Sequence, residues 1–311
     1  MSKKPARKKS EDYDESFDDD FYDDESMEEG FEFTGFFDKK YDKDNEAFDR
    51  KFRKKFKHKT EDRSTVEGVL DLSTSKELYK LQMNSFLDKI FGIVSTGKES
   101  NVYYATSKDV SKTNDKTDLA IKIFRTRTLD FKKIKFYIDG DIRFSKSGKK
   151  SHQIIQTWAL KEYKNLLRAF ENGINVPEPF FVKRNILIME FIGEDGKAAP
   201  QLRHVKNLSN DEAQEISEQV FNQLALLWTK SNLVHGDLSA YNLLYFKDKI
   251  YFIDMGQSVL TEHPLAEAFL FRDIENLIYY FSEFEIDIQT PEEIFEKITH
   301  KIPDRELLKL R

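Results

Sequence analysis

The spacing of apolar residues changes once along this chain, and that change constrains the fold more than any other feature. Between residues 91 and 192, short apolar runs separated by Gly, Asn and Pro turns are typical of β-strands. After Gly193 the period becomes helical, most clearly in "SNDEAQEISEQVFNQLALLWTKSN", which opens with a capping box formed by Ser209 and Glu212. A strand-rich half followed by a helix-rich half predicts an α+β fold with a crevice between two lobes.

The strand-rich half contains several well-marked segments. "KIFGIVSTGKESNVYYATS" predicts two strands joined by a tight loop at Gly97, and "DLAIKIFRT" predicts a third strand that places Lys122 among apolar neighbours. Residues 137–153 are rich in Gly, Ser and Lys, and they predict a mobile loop. A helical pattern follows over residues 154–170, and "FFVKRNILIMEFIG" then predicts a hairpin of two strands that stops at Gly193.

The first 62 residues have a composition unlike that of the rest. Residues 11–30 contain twelve acidic residues and no basic one, whereas residues 50–59, "RKFRKKFKHK", carry seven Lys and Arg with two Phe between them. Neither block can bury enough apolar surface to offset the entropy lost on ordering, so both predict disorder. The acidic block is typical of a solvating tail. The basic block fits either a solvated segment or contact with a nucleic-acid backbone, where Phe can stack on unpaired bases.

The chain therefore divides into four parts. An N-cap at Ser73 or Ser75 indicates short helices just before the first strand. We expect a charged disordered tail over residues 1–62, a helical extension over residues 63–90, a first lobe over residues 91–192 and a second lobe over residues 193–311.

The composition excludes several kinds of site. The chain has no cysteine, which excludes disulfides, thiolate zinc sites and a Cys nucleophile, and its six His residues lack a metal-binding spacing. No apolar stretch approaches the roughly 18 residues that cross a bilayer, and no apolar region of a signal peptide follows the basic start "MSKKPARKKS". We expect a soluble, cytoplasmic protein without a membrane partner.

A group of polar residues lies between two apolar flanks in "LVHGDLSAYNLLYF", residues 233–246. The next apolar strand ends at Asp254, so Asp237, Asn242 and Asp254 sit on two loops that border one short hairpin. One amide and one carboxylate suit Mg²⁺, which completes its octahedron with water and phosphate oxygens. We expect Asn242 and Asp254 to hold the ion while Asp237 orients or deprotonates an attacking hydroxyl. His235 is interpreted as packing beneath this loop and bonding to backbone.

The first half supplies groups that would bind an anionic substrate. Gly97 lets backbone amides approach phosphate oxygens, and the hydroxyls and lysine of the same loop add donors. Lys122 offers a charge for the inner phosphates, and Glu162 on the following helix would hold that lysine in place. The loop residues expected to contact phosphate are Ser95, Thr96, Gly97, Lys98 and Ser100.

Six segments resemble, in order and spacing, the RIO family of atypical protein kinases, and most closely its first subgroup. They are "STGKESNVYYA", "LAIKIF", "WALKEYKNL", "IMEFIG", "LVHGDLSAYNLLYF" and "YFIDMGQSV", and the order and spacing match over roughly residues 65 to 300. The resemblance implies a two-lobed protein-kinase-like fold with a strand-rich N-lobe and a helical C-lobe. It also implies ATP as the substrate, with Mg²⁺ or alternatively Mn²⁺ as the metal.

The same resemblance implies a role for each matching position. Asp237 would be the catalytic acid–base residue, and Asn242 and Asp254 would bind magnesium. These implied roles agree with those reached from the residues themselves. The residues implied to bind ATP are Lys122, its partner Glu162, and the backbone of Glu190 and Ile192 around adenine.

Several features depart from ordinary protein kinases. The nucleotide loop lacks G-x-G-x-x-G, Gly236 stands where most kinases have Arg, "DMG" replaces "DFG", and nothing after Asp254 reads as A-P-E. The missing Arg removes the usual partner of an activation-loop phosphate, so we expect control by that route to be absent. The 57 residues after Asp254 are few for a peptide-docking subdomain, which predicts an unusual mode of protein-substrate recognition.

Three functions from different classes are consistent with these residues. The first, implied by the RIO resemblance, is a serine/threonine kinase that phosphorylates itself or a ribosome-assembly protein during small-subunit maturation. The second is an ATPase switch that leaves pre-ribosomal particles after forming phospho-Asp254. In this reading the acidic and basic tails are docking arms, and the particle is bound through protein and through rRNA at residues 50–59. The third is a small-molecule phosphotransferase, which the loop "STGKESN" and the short C-terminal part disfavour. Ser145 and Ser147, next to basic residues, are candidate self-phosphorylation sites.

Overall fold

The computed structural model of this 311-residue chain describes residues 72–108, 117–125, 131–144, 148 and 150–304. The charged tail, Ser145 and Ser147 lie outside the described residues, and the boundaries between the four parts of the chain stay predictions. No helix within the described ranges is long and apolar enough to cross a membrane. The described residues form the α+β, two-lobed arrangement that the sequence predicts, with an antiparallel sheet in one lobe and mainly helices in the other.

A five-stranded antiparallel sheet forms most of the first lobe. Its strands are β1 Lys89–Thr96, β2 Ser100–Ser107, β3 Thr117–Phe124, β4 Pro179–Lys183 and β5 Ile186–Glu190. They lie in the order β1-β2-β3-β5-β4, so β3 is the central strand. The predicted pair of strands around Gly97 and the predicted hairpin before Gly193 are both confirmed by this pairing.

Helices cover both faces of this sheet. They are α1 Leu72–Met83 on one face and α3 Ser151–Glu171 on the other, and α2 Phe131–Asp139 packs on α3. Because strand residues alternate between faces, Leu119 and Ile121 of β3 point to one side, where they share an apolar cluster with α1. Ala120 and Lys122 point to the other side, which α3 covers. The alternation thus places Lys122 between the sheet and α3.

The start of α1 differs from the sequence prediction. The predicted N-cap at Ser73 or Ser75 is wrong, because the helix begins at Leu72 and includes both serines in its first turn. Instead, the Thr74 hydroxyl donates to Oδ1 of Asn185 at 3.0 Å, which ties this end of the helix to the turn between β4 and β5.

The prediction of a mobile loop over residues 137–153 is wrong for its first half and for residues 151–153, which begin α3. Tyr137 is a buried residue of α2, with its ring centroid 5.7 Å from that of Phe269 and 6.2 Å from that of Trp158. Phe144 is buried in the short 3-10 turn that follows. These aromatic contacts outweigh the local abundance of Gly, Ser and Lys, and they fix the segment across the two lobes.

The second lobe brings two polar loops side by side. Its elements are β6 Gly193–Glu194, β7 Lys197–Ala198, α4 Asn210–Thr229, β8 Leu233–Val234, β9 Leu243–Phe246, β10 Lys249–Phe252, β11 Val259–Leu260, α5 Ala266–Phe281 and α6 Pro291–Thr299. The predicted capping box is confirmed, since Ser209 Oγ accepts the Glu212 N–H at 3.2 Å and the Glu212 carboxylate accepts the Ser209 N–H at 2.8 Å. Because β9 pairs with β10 and β8 with β11, the loop after β8 lies beside the segment after β10.

Leu81→Ala should lower the free energy of unfolding by about 2–5 kcal/mol, because Leu81 is 2 % exposed in the contact between α1 and the sheet. Met83→Ala on the same helix removes a side chain that is 60 % exposed, and it should change that free energy by less than about 0.5 kcal/mol. Chemical denaturation of the two variants measures the difference. Equal effects would contradict the packing of α1 on this sheet.

Candidate active site

A buried lysine links three parts of the chain. The Lys122 ammonium lies 2.7 and 2.8 Å from the two carboxylate oxygens of Glu162 and 2.9 Å from Oδ1 of Asp254. Burial opposes protonation of Lys122, but the two carboxylates outweigh it and raise its pKa, so the side chain carries a charge. Glu162 is buried, whereas the Asp254 side chain is 49 % exposed. A fixed cation therefore lies beside a carboxylate that ligands can reach.

Each partner of this group comes from a different element. Lys122 lies on the central strand β3, opposite Val102 of β2 and Leu187 of β5. Glu162 lies on the buried side of α3. Asp254 follows β10 in the second lobe. The contact therefore joins the sheet, the helix that covers it and the second lobe.

The backbone of Asp254 explains how its side chain meets Lys122. The Ile253 N–H donates to the Asn242 carbonyl at 3.0 Å, so strand-like pairing continues up to Asp254. Asp254 then adopts a left-handed conformation, φ 64° and ψ 58°, which costs a non-glycine residue about 1–2 kcal/mol. Desolvation raises the pKa of Asp254, but the neighbouring Lys122 outweighs it and lowers the pKa below its usual value. The ion pair holds this strained residue in place.

Two adjacent residues of α5 clamp the loop that carries Asp237. The buried Asp273 accepts the Gly236 N–H at 2.8 Å through Oδ2 and the Leu238 N–H at 2.9 Å through Oδ1. The guanidinium of Arg272 donates to the Gly236 carbonyl. Burial raises the pKa of Asp273 to about 7, although the two N–H donors lower that pKa in part. The sequence alone assigns Arg272 and Asp273 to packing between the lobes. It does not reveal their bonds to the loop, because side chains that bond to a distant backbone leave no motif around themselves.

Asp237 is also held through its own atoms. Gln257 Nε2 donates to Oδ2 of Asp237 at 2.7 Å, and Asn242 Nδ2 donates to the Asp237 carbonyl at 2.7 Å. Burial raises the pKa of the Asp237 carboxyl, and the positive charge of Lys133 opposes that rise. A carboxylate with a raised pKa accepts a proton more readily than one in water. Sequence reasoning also missed Gln257, although it lies in the same "DMGQS" segment as Asp254.

The loop between β1 and β2 is a tight turn. The Gly97 N–H donates to the Ser100 carbonyl at 2.9 Å, and a Cβ at Gly97 would lie 3.3 Å from that oxygen. The Arg125 N–H, just after β3, donates to the Glu99 carbonyl at 2.9 Å. Burial raises the pKa of Glu99 and the charge of Asp254 adds to the rise, so the loop lies close to the second lobe's carboxylate. The side chains predicted to contact phosphate are exposed at Ser95, Thr96 and Lys98 and half-buried at Ser100.

The end of β5 and the residues after it carry the backbone groups that the sequence predicts to contact adenine. The Glu190 N–H donates to the Glu178 carbonyl at 2.8 Å, and the Glu190 carboxylate accepts the Glu178 N–H at 3.3 Å. The Ile192 carbonyl accepts the Ala199 N–H at 2.9 Å. These bonds do not use the Glu190 carbonyl or the Ile192 N–H, which are the acceptor and donor that an adenine edge requires. Their contact with adenine stays a prediction.

Asn242 and Asp254 fit a magnesium ion that is shared with phosphate. Because Asn242 Nδ2 bonds to the Asp237 carbonyl, its amide oxygen is the atom left for an ion. Within the part of the chain that the structure describes, no group of three or more His, Cys, Asp or Glu side chains could hold a metal alone. Mg²⁺ usually binds through one or two protein oxygens and completes its shell with phosphate and water. The amide of Asn242 and the carboxylate of Asp254 match that requirement.

His235 is structural, as the sequence predicts. Its Nε2 lies 3.0 Å from the Ile253 carbonyl, and its ring meets the ring of Phe252 edge-on at 6.2 Å between centroids. Burial lowers the pKa of His235 to about 4, so the ring is neutral near pH 7.

Comparisons with known proteins point to one family. Residues 101–294 match the family described as RIO domain. The chain is 39 % identical over 239 residues to the serine/threonine-protein kinase RIO1 of Caenorhabditis elegans, which covers 76 % of this chain and 46 % of that protein. It is 38 % identical over 240 residues to the serine/threonine-protein kinase RIO1 of Homo sapiens, and this alignment covers 76 % of this chain and 41 % of that protein. It is 37 % identical over 215 residues to the RIO-type serine/threonine-protein kinase Rio1 of Haloferax volcanii, and this alignment covers 69 % of this chain and 71 % of that protein.

A solved structure has a similar fold. It is the Rio2 kinase of Chaetomium thermophilum in its ADP/Mg²⁺–phosphoaspartate complex, with a TM-score of 0.54 and 19 % identity. The alignment covers 75 % of this chain and 67 % of that chain, and at this identity it shows the fold alone. The chain spans less than half the length of the worm and human relatives.

The depressed pKa of His235 predicts acid destabilisation. Between about pH 6.5 and pH 4 the unfolded chain binds a proton that the folded chain excludes, so stability falls as pH falls through that window. The contribution of His235 should amount to about 2 kcal/mol of lost unfolding free energy between pH 7 and pH 5. Urea denaturation at both pH values, with His235→Gln as the matched variant, measures it. Equal losses of unfolding free energy in the parent and the variant would contradict a buried, neutral imidazole at His235.

Proposed function

This chain belongs to the RIO family, and from that membership we propose that it is an atypical serine/threonine protein kinase that uses ATP and Mg²⁺. The observation that carries the proposal is the Lys122 ammonium held between Glu162 and Asp254. Phosphoryl transfer needs fixed positive charge beside the phosphates and a base near the acceptor. Lys122 provides the first, and Asp237 on its clamped loop provides the second.

Each site residue has a separate task in this transfer. Lys122 neutralises charge on the inner phosphates, and Glu162 prevents it from turning away. Asn242 and Asp254 would hold Mg²⁺, which when bound neutralises charge on the phosphate oxygens. Asp237 accepts the proton of the acceptor hydroxyl while that oxygen bonds to the γ-phosphorus and the bond to ADP breaks. ADP therefore leaves with the electron pair of the broken bond.

A second candidate is an ATPase switch in which Asp254 accepts the phosphoryl group. The Asp254 carboxylate is 49 % exposed, and its lowered pKa keeps it ionised and nucleophilic. The Rio2 kinase with the similar fold is described as an ADP/Mg²⁺–phosphoaspartate complex. In this reaction an Asp254 oxygen bonds to the γ-phosphorus, and the bond to ADP breaks. Water then hydrolyses the acyl phosphate and restores the carboxylate.

Labelled ATP distinguishes the two reactions. A seryl or threonyl phosphate should survive acid, whereas an acyl phosphate on Asp254 should be lost with hydroxylamine. Asp254→Asn should abolish the hydroxylamine-sensitive label and lower magnesium-dependent turnover at least about 100-fold, because both the ligand and the acceptor are removed. Asp248→Asn, an exposed residue at the tip of the neighbouring hairpin, is the matched control and should leave both unchanged. Turnover of Asp254→Asn at the parental rate would contradict the metal assignment.

The place of action that we propose is small ribosomal subunit maturation in the cytoplasm. Two features support it: RIO membership, and seven Lys and Arg within residues 50–59 that suit an RNA backbone. Replacing those seven residues by Gln should weaken co-sedimentation with pre-ribosomal particles and leave ATP turnover unchanged. The matched control replaces seven acidic residues within 11–30. Co-sedimentation that survived the first change would exclude this segment as an RNA contact.

A further inference from the structure

The side chain of Gln257 contacts one oxygen of the proposed catalytic base. Its Nε2 donates to Oδ2 of Asp237 at 2.7 Å, and Gln257 is only 8 % exposed. The terminal torsion of an aspartate is broad and nearly two-fold, so it needs an external contact to hold a single orientation. A hydrogen bond to Oδ2 fixes the plane of the carboxylate and leaves Oδ1 as the oxygen for another partner.

Gln257 is itself held by helix α3. The buried Lys161 Nζ donates to the Gly256 carbonyl at 2.9 Å and also to the Ser258 carbonyl, on either side of Gln257. Asn165 Nδ2 donates to the Ser258 carbonyl at 3.0 Å. The residues on either side of Gln257 are therefore held by the helix that also carries Glu162.

Close packing between the two loops restricts Gln257 further. A Cβ at Gly236 would lie 3.1 Å from the Gln257 carbonyl, so the loop that precedes Asp237 touches the backbone of Gln257 directly. A Cβ at Gly256 would lie 3.1 Å from Cζ2 of Trp158, which fills the space behind the segment. The backbone of Gln257 therefore has little room to shift relative to the loop that carries Asp237.

We propose that Gln257 is a positioning residue for phosphoryl transfer, whose amide aims the free carboxylate oxygen of Asp237 at the acceptor hydroxyl. The inference rests on the proposed kinase function. It adds a chain of hydrogen bonds that runs from α3, through the segment 255–258, to the carboxylate of Asp237. The helix that sets Lys122 through Glu162 would in this way also set Asp237, so that the nucleotide and the base are positioned by one rigid element.

Gln257→Leu tests this role, because it keeps most of the side-chain volume and removes the donor. With the full chain and saturating Mg-ATP, the rate of acid-stable label incorporation should fall about 10- to 100-fold, while the dissociation constant for ADP changes less than about twofold. In an Asp237→Asn background the same change should alter the remaining rate less than about twofold, because its effect passes through Asp237.

Two further variants keep the test decisive if Gln257→Leu fails to fold. Gln257→Glu retains the shape but presents a carboxylate to a carboxylate, and it should lower the transfer rate at least as much. Gln219→Leu is the matched control and should leave the transfer rate unchanged. The Gln219 side chain donates to the Asp248 carbonyl at 3.1 Å on the surface.

Several outcomes would overturn the inference. The first is a parental transfer rate in Gln257→Glu. The second is a loss of ADP affinity in Gln257→Leu as large as its loss of transfer rate. The last is a fall in transfer rate that stays just as large when Gln257→Leu is made in the Asp237→Asn background. The last result would show a general effect on folding that does not act through the base. If the parent chain itself formed no acid-stable label, the kinase proposal would fail as well. The parent measurement therefore separates the two failures.

Discussion

The protonated Lys122 is the constraint on which the rest of the structure depends. An ammonium inside a protein costs several kcal/mol unless opposite charge and hydrogen bonds compensate it, and Glu162 and Asp254 supply both. Their positions are therefore not independent. Glu162 fixes how α3 lies on the sheet, and Asp254 fixes how the second lobe meets the first. The charge that would bind phosphate thus also aligns the two lobes.

Helix α3 attaches to the second lobe by hydrogen bonds from its side chains to the backbone. Lys161 and Asn165 donate to backbone carbonyls of the segment 255–258, next to the residue that pairs with Lys122. On the other side of the site, Arg272 of α5 donates to the Gly236 carbonyl. Most kinases have an Arg in place of Gly236 itself. At both places the contact is a hydrogen bond between a side chain and the backbone, and it requires no phosphate group. This agrees with the missing activation-loop features of the sequence.

The sequence could predict the residues whose chemistry is tied to their own position. Lys122, Asp237 and Asp254 each interrupt or follow an apolar strand, and it is their combination in order along the chain that indicates a phosphate site. Gln257 and Asp273 could not be found in this way, because each acts on a residue 20 to 37 positions away. The short helix α2 was missed for a related reason: its three lysines dominate the local composition, and its buried aromatic contact is with another lobe.

Two aspartates of the same intrinsic acidity acquire opposite properties from their surroundings. Asp254 lies against the Lys122 ammonium, which outweighs desolvation and lowers its pKa, so it remains an anion suited to a metal or to nucleophilic attack. For Asp237 burial dominates and raises the pKa, because its neighbours Lys133 and Arg272 compensate only in part. A carboxylate in that state can take up a proton during transfer and release it afterwards. The division that we propose between ligand and base therefore follows from where Lys122 is placed, and no difference in residue type is needed to produce it.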